Sequence, residues 1–302
     1  MVRLSIYIMF IVAFSSISCT KNSNKNFKER PPIAEEEVIY GDDDRKDIYQ
    51  VTNPTHLELA RSTVALVSKT SFQETSPVSD YYDMAQTPFG TFYGLCTDEP
   101  FKEQNAFAFC SGTLIAPNQI LTAGHCITDR DSCRDTQFVF DWAIQNQNDE
   151  PKQTPKSNVY DCVNITKHEL RSNGADYAIV EIDRPVTDRN PAQLDQFSNT
   201  TAGTPLVVIG HPSGLPTKVA DGAVIRRVTN RGSFVANLDT YGGNSGSGVF
   251  NENTGKLIGV LVRGETDFVY DNRKNCFKSN VCSANACRGE DVTSLDAIMG
   301  TP

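Results

Sequence analysis

The chain has 302 residues, a formal net charge of −9 and 39% hydrophobic residues. That length suits one sizeable domain or two tightly joined halves once any leader is set aside. The acidic balance, without a basic run of five or more residues, excludes nucleic acid as an expected partner.

The start reads as an export signal. Met1-Val2-Arg3 is positive, Leu4 to Phe14 is almost wholly apolar, and Ser15-Ser16-Ile17-Ser18-Cys19 follows. Residues 1–19 are therefore expected to be a secretory signal peptide, too short to span a membrane comfortably. Cys19 stands where bacterial lipoprotein signals place the cysteine that becomes lipidated, although Ser16 stands where leucine is usual. Membrane attachment through a lipidated Cys19 and ordinary cleavage both stay open. Residues 20–37 carry Pro31-Pro32 and Glu35-Glu36-Glu37. Such a segment cannot bury a core and reads as a tether or pro-segment. Residues 38–302 form the folded domain.

Cysteine usage agrees with export. Of nine cysteines, eight remain without Cys19, enough for four disulfides in an oxidising compartment. Five lie from Cys96 to Cys162 and three from Cys276 onward, so complete internal pairing requires a bridge between tail and first half. No Cys-x-x-Cys pair occurs and no histidine lies near the late cysteines, so no metal is expected.

Short runs of β-branched and aromatic residues bounded by Gly, Pro, Asn or Asp predict strands. In chain order they are Ser62 to Ser68, Ala106 to Cys110, Gly112 to Ala116, Gln119 to Thr122, Phe138 to Trp142 and Tyr177 to Ile182. Then come Leu206 to Gly210, Gly222 to Val228, Ser233 to Leu238, Ser247 to Phe250 and Leu257 to Val262. The best helix candidate is Asp291 to Met299, with Thr293 or Ser294 as its cap. Cys276 to Cys287 is too polar for a core and reads as a disulfide-pinned surface loop. Many short strands without interleaved helices imply an all-β sandwich or barrel.

The stretch Tyr241-Gly242-Gly243-Asn244-Ser245-Gly246-Ser247-Gly248 lies between two strand-like runs. A serine held in a glycine-rich turn presents its hydroxyl beside backbone N–H groups, as acyl transfer needs. The serine also needs a base. Of the four histidines, His56, His125, His168 and His211, none follows Ser245. This excludes the α/β-hydrolase order. His168-Glu169 lacks a second histidine at helical spacing, which argues against a metalloprotease. His125 is the candidate base, in Thr122-Ala123-Gly124-His125-Cys126 after a strand-like run. A bridge from Cys110 to Cys126 would clamp its turn and contribute about 3 kcal/mol in the chain-entropy model. Asp176 opens an apolar run and is the candidate acid that orients the imidazole. His211 lies in a turn, where it either lines a cleft or serves the turn itself. His56 and His168 read as surface or packing residues.

In that order, the His125 block, the Asp176 strand and Gly243-Asn244-Ser245-Gly246 resemble the trypsin/chymotrypsin-type serine proteases. The resemblance runs from about Val38 to Gly264. It implies two perpendicular Greek-key β-barrels, with His125 from the first, Ser245 from the second and Asp176 near their junction. It further implies an oxyanion hole from the Gly243 and Ser245 N–H groups, a Cys110–Cys126 disulfide, protein or peptide substrates, a monomer and no cofactor. Asn244 stands where the pancreatic branch has the aspartate that pairs with a freed N-terminus. The Val38-Ile39-Tyr40-Gly41 start and Gly-Gly-Asn-Ser-Gly-Ser look more like the bacterial glutamyl endopeptidase branch, in which a pro-segment is removed. Cleavage between Glu37 and Val38 is the expected site. Asp239, Thr240 and Gly264 fall at the substrate pocket, where an aspartate such as Asp239 favours Lys or Arg at P1. Leu261 stands where the glutamate-reading histidine of that branch would fall. The alternative reading is a catalytically silent relative that keeps the fold as a binding module.

Overall fold

The structure, a computed structural model, describes residues 38–300 except 74, 75, 77, 86, 173, 196–199, 230 and 231. The expected signal peptide, Cys19 and the polar linker through Glu37 lie outside the described residues.

Two six-stranded antiparallel barrels make up the fold. The first is built from Thr63–Ser68, Cys110–Ala116, Gln119–Thr122, Thr136–Phe140, Val159–Leu170 and Asp176–Ile182. The second is built from Pro205–Gly210, Lys218–Val228, Ser233–Ala236, Gly248–Asn251, Lys256–Arg263 and Glu290–Ser294. With the strands of each barrel counted in chain order, both walls run 1-2-3-6-5-4. The fourth strand returning beside the first is the Greek-key signature. The expected double barrel is therefore present, and the two halves share a topology that no sequence repeat betrays.

Strand periodicity explains the packing, because successive side chains point to opposite faces. In Thr63–Ser68, Val64 and Leu66 enter the first barrel's core with Leu114, Ile120 and Phe138. Ala65 and Val67 pack outward against Met84, Phe107 and Trp142. In Pro205–Gly210, Leu206 and Val208 fill the second core with Phe234 and Leu261, whereas Val207 and Ile209 join Leu121 and Ile179 in the first cluster. Each such side chain contributes about 1.5–3 kcal/mol on burial. The second barrel thus lays an apolar face against the first.

Several elements differ from the expectation. Val159–Leu170, the longest strand at 12 residues, has no counterpart among the predicted ones. Its C-terminal half, Ile165 to Leu170, is mostly polar and has no buried residue, so no apolar period marks it. Pro54–Arg61 is a helix with the Asn53 side chain capping the Thr55 N–H and proline at its first turn. That cap-then-proline start is a helix signal. Near the C-terminus the helix is only Leu295–Met299, capped by Ser294; Glu290–Ser294 is instead the last barrel strand.

Four disulfides join the described cysteines: Cys96–Cys276, Cys110–Cys126, Cys133–Cys162 and Cys282–Cys287. The Cys96–Cys276 bridge is the tie between tail and first half that parity required. The cysteine-bearing tail is more than a loop. Cys276–Ser279 forms a hairpin with Phe268–Asp271, and Val281–Cys282 pairs in parallel with Ile39–Tyr40. The first described residues are thereby stitched to nearly the last, while Arg45–Asp47 pairs with Lys218 to Ala220 on the second barrel.

Candidate active site

His125 lies in the turn after Gln119–Thr122, beside the Cys110–Cys126 bridge. The preceding Gly124 has no room for a side chain: a Cβ there would lie 2.3 Å from the Glu169 carbonyl oxygen. Asp176 opens its strand and is 0% exposed. Its Oδ1 accepts the N–H groups of Gly124 at 2.6 Å and His125 at 3.1 Å. Its Oδ2 lies 2.8 Å from His125 Nδ1 and 3.3 Å from Arg263 Nη2. The Asp176 main chain is gripped by the Thr293 hydroxyl of the second barrel, which accepts its N–H at 3.2 Å and donates to its C=O at 3.1 Å. Asp176 thus sits at the junction of the barrels. Burial works to raise its pKa, but the bonds and charge of His125, with help from Arg263, outweigh it and hold the carboxyl below its usual value. The exposed His168 places Nε2 3.0 Å from the Gly124 carbonyl, bracing the same turn.

Ser245 follows Gly243, whose φ is +90°, and precedes Gly246 at +89°. Both values favour glycine, and a Cβ on Gly246 would lie 2.1 Å from the Ser111 carbonyl oxygen. Ser111 fixes the turn from the first barrel: its N–H donates to the Ser245 C=O at 2.8 Å, and its hydroxyl to the Gly243 C=O at 3.1 Å. From the second barrel, the Leu261 C=O accepts the Gly246 N–H at 2.8 Å. The Ser245 C=O also lies 3.7 Å from Cys126 Sγ, which sets the serine beside the histidine turn. Among the described residues, no acceptor meets the N–H of Gly243 or of Ser245. The buried Asn244 accepts the Ser247 hydroxyl at 2.8 Å and donates to the Thr240 hydroxyl.

The expected pocket residues are arranged differently. Asp239 is 4% exposed, and both its oxygens are engaged by the start of the described chain. Oδ1 accepts the Tyr40 N–H at 2.6 Å and Oδ2 the Asp44 N–H at 2.8 Å. Burial, against the pull of these two N–H groups, pushes its carboxyl up to about 7. Each oxygen of the carboxylate thus already accepts one main-chain N–H from the chain's own start. The Thr240 N–H donates to the Val38 C=O at 3.3 Å, and the Gly264 C=O accepts from Arg288 at 3.0 Å. Arg263 reaches Asp176 and the Ser172 C=O. That role had no sequence signal. His211 is 1% exposed with Nδ1 3.1 Å from the Leu215 C=O, and burial lowers its pKa to about 3. It is a structural turn residue. Cys110, His125 and Cys126 have the proximity of a metal cluster, but the two sulfurs are joined as a disulfide and offer no thiolate.

Residues 110–260 match the family of trypsin-like peptidase domains, half of the chain. A glutamyl endopeptidase of Bacillus licheniformis is 27% identical over 159 residues, 49% of this chain and 46% of that protein. The chain therefore matches about half the length of that relative. Among solved structures, a Glu endopeptidase in complex with MPD superposes with a TM-score of 0.49 and 18% identity, over 87% of this chain and 96% of that one. The Vibrio cholerae VesB protease gives 0.48 and 16%, over 87% and 66%. On the family match, which spans the stretch from the histidine turn to the strand beyond the serine turn, the chain is a member of the trypsin-like peptidase domain family.

Proposed function

We propose that the chain is an exported serine endopeptidase in which His125, Asp176 and Ser245 form the catalytic triad. The observation that carries this reading is the buried Asp176 carboxylate, 2.8 Å from His125 Nδ1, with the Ser245 turn docked beside that histidine. In the ground state the Nδ1–H donates to Asp176, which leaves Nε2 able to accept the Ser245 proton. Ser245 Oγ then attacks the scissile carbonyl, and the N–H groups of Gly243 and Ser245 hold the developing oxyanion. The imidazolium passes its proton to the leaving amine. Water repeats the sequence on the acyl-enzyme and releases the acid product. Export is supported by four disulfides, which persist in oxidising compartments. Removal of residues 1–37 by cleavage before Val38 gives the active form.

Labelling with a phosphonofluoridate tests the triad. The expected result is one adduct on Ser245, abolished by His125→Ala. A folded, processed protein that takes up no label refutes the reading. Cleavage of a mixed peptide library then reads the P1 preference without assuming one.

A further inference from the structure

Phe268–Asp271 and Cys276–Ser279 form a two-stranded hairpin. A hairpin alone is marginal in water, and this one is braced on one side. The Cys96–Cys276 bridge ties it to the segment after the helix Phe89–Tyr93. The Phe277 N–H donates to the Gly94 C=O at 3.0 Å, and the Phe277 C=O accepts the Cys96 N–H at 2.8 Å. The Phe268 ring packs against Tyr93 and Tyr241, with centroids 5.1 Å and 4.8 Å apart.

The other side is open. Along an antiparallel strand, the main-chain groups of successive residues point to opposite edges. Both Phe277 groups point to residues 94–96, so its register partner Tyr270 turns its own N–H and C=O away from the hairpin. Phe268, two residues earlier, does the same, whereas the Asp267 C=O points inward and accepts the Asn280 N–H at 2.8 Å. Among the described residues, nothing bonds to the main-chain groups of Phe268 or Tyr270. Free edges are commonly covered, or blunted with lysine or proline. This one carries neither, and Val269 and Tyr270 are 37% and 46% exposed. The exposed Phe92 extends the apolar surface, its ring 4.9 Å from that of Tyr93. The edge also begins at the serine turn. Asp267, the residue before it, accepts through Oδ2 the N–H of Gly242, which shortly precedes Ser245, at 3.0 Å. An extended chain with its scissile carbonyl at Ser245 reaches Phe268–Asp271 within about six residues.

We propose that the outer edge of Phe268–Asp271 is a docking site for an extended stretch of the polypeptide substrate, which adds to the hairpin as a third strand. The identity of the occupant rests on the protease reading above. Main-chain bonds to Phe268 and Tyr270 give the edge affinity for an extended chain of any sequence. Side chains of the added strand that share a face with Phe268 and Tyr270 meet those rings, so aromatic and β-branched residues are favoured there. The disulfide and the Phe277 bonds hold the edge in place before the substrate arrives, so little ordering of the protein opposes docking. The site therefore selects extended or unfolded segments over compact ones.

Tyr270→Pro tests the main-chain part, because proline deletes the outward N–H and leaves the bonds to Cys276–Ser279 in place. Its companion Tyr270→Ala removes the ring and keeps the N–H. Both are made in the full chain carrying Ser245→Ala, so nothing is cut, and the probe is fluorescein-labelled β-casein, an unfolded chain. By fluorescence anisotropy, Kd is expected to rise about three- to tenfold more for proline than for alanine. Equal Kd values for the two variants, or no binding by the parent, overturn the proposal. Amide hydrogen exchange needs no variant at the edge: Phe268 and Tyr270 exchange fast in the free chain and are protected once casein saturates it. Unchanged exchange at both overturns the proposal. So does sedimentation of the casein-free parent as a dimer that Tyr270→Pro dissolves, since a second copy then occupies the edge. Failure of Ser245 to take up phosphonofluoridate in the unmodified chain would instead count against the protease reading and leave these binding results standing.

Discussion

Replacing Asp176 with asparagine turns one oxygen into an NH2 group inside a site built from donors. Oδ1 is held by two main-chain N–H groups, at 2.6 Å and 3.1 Å, that cannot swing away. The amide oxygen stays with them, and the amide nitrogen takes the place of Oδ2. It then points hydrogens at His125 Nδ1 and at the Arg263 guanidinium. The imidazole meets this only by accepting at Nδ1, which moves its proton to Nε2 and leaves no lone pair for the Ser245 hydroxyl. The expected loss is about 10⁴-fold in kcat, or roughly 5 kcal/mol of activation free energy. Arg263 also loses its partner, at a cost of about 3–5 kcal/mol for one half of a buried pair. The lower end applies, since the Arg263 side chain keeps 21% exposure. At about 2–4 °C per kcal/mol for a domain of this size, melting falls by roughly 6–12 °C. Initial rates on a peptide drawn from the library, below the melting range, give kcat, and thermal unfolding gives the rest. A kcat within tenfold of the parent, with the fall in melting intact, would refute the assignment of Asp176 as the group that fixes the tautomer.

Arg263→Met removes a positive charge from beside the His125–Asp176 pair, so the acid limb of kcat/KM moves to higher pH. A superimposable profile counts against a positioning role for Arg263. For Asp239, the folded value near 7 exceeds the ordinary 3.8, so the folded state binds the extra proton in between. This group stabilises most below about pH 4, and that contribution is lost as pH rises through about 7. In urea unfolding, Asp239→Asn flattens the parent's fall in stability over that window, and equal slopes refute the reading. The same variant keeps the parent's P1 profile, because the carboxylate serves the chain itself. Cys96→Ser with Cys276→Ser opens a loop with sequence separation 180 and costs about 5 kcal/mol on the chain-entropy account. Cys110→Ser with Cys126→Ser costs about 3 kcal/mol and also lowers kcat, which the longer bridge does not control.

The candidate triad was legible because its chemistry admits few residue types. Four histidines, none after Ser245, left His125 as the base with a strand before it and a cysteine after it. Barrel strands were legible where a β-branched run ended on turn residues, as at Gln119–Thr122 and Pro205–Gly210. Val159–Leu170 was hidden because hydrogen bonds to Asp176–Ile182, rather than buried side chains, hold its outer half. Asp239 shows a different limit. The expected pocket position was matched by sequence offset from Ser245, yet the carboxylate's partners lie 199 and 195 residues earlier. Nothing local signals such a contact. Arg263 and Asp176 are likewise 87 residues apart, and only the seam between the barrels brings them together. Cysteine parity reached further, since it demanded a tail-to-front bridge without naming Cys96 and Cys276.

The parallel pairing of Ile39–Tyr40 with Val281–Cys282 has a kinetic side. Its supporting bond from Tyr40 to Glu290 spans 250 residues. Contacts of such sequence separation raise contact order, and their loop-closure cost is expected to delay them until the nearer pairings of each barrel have formed. Interactions absent from the folding transition state slow unfolding instead of speeding folding. The clasp between Ile39–Tyr40 and Val281–Cys282 is therefore expected to act as a brake on opening. For the exported peptidase proposed above, open to attack by other peptidases whenever it unfolds, lifetime would be set by that brake as much as by equilibrium stability.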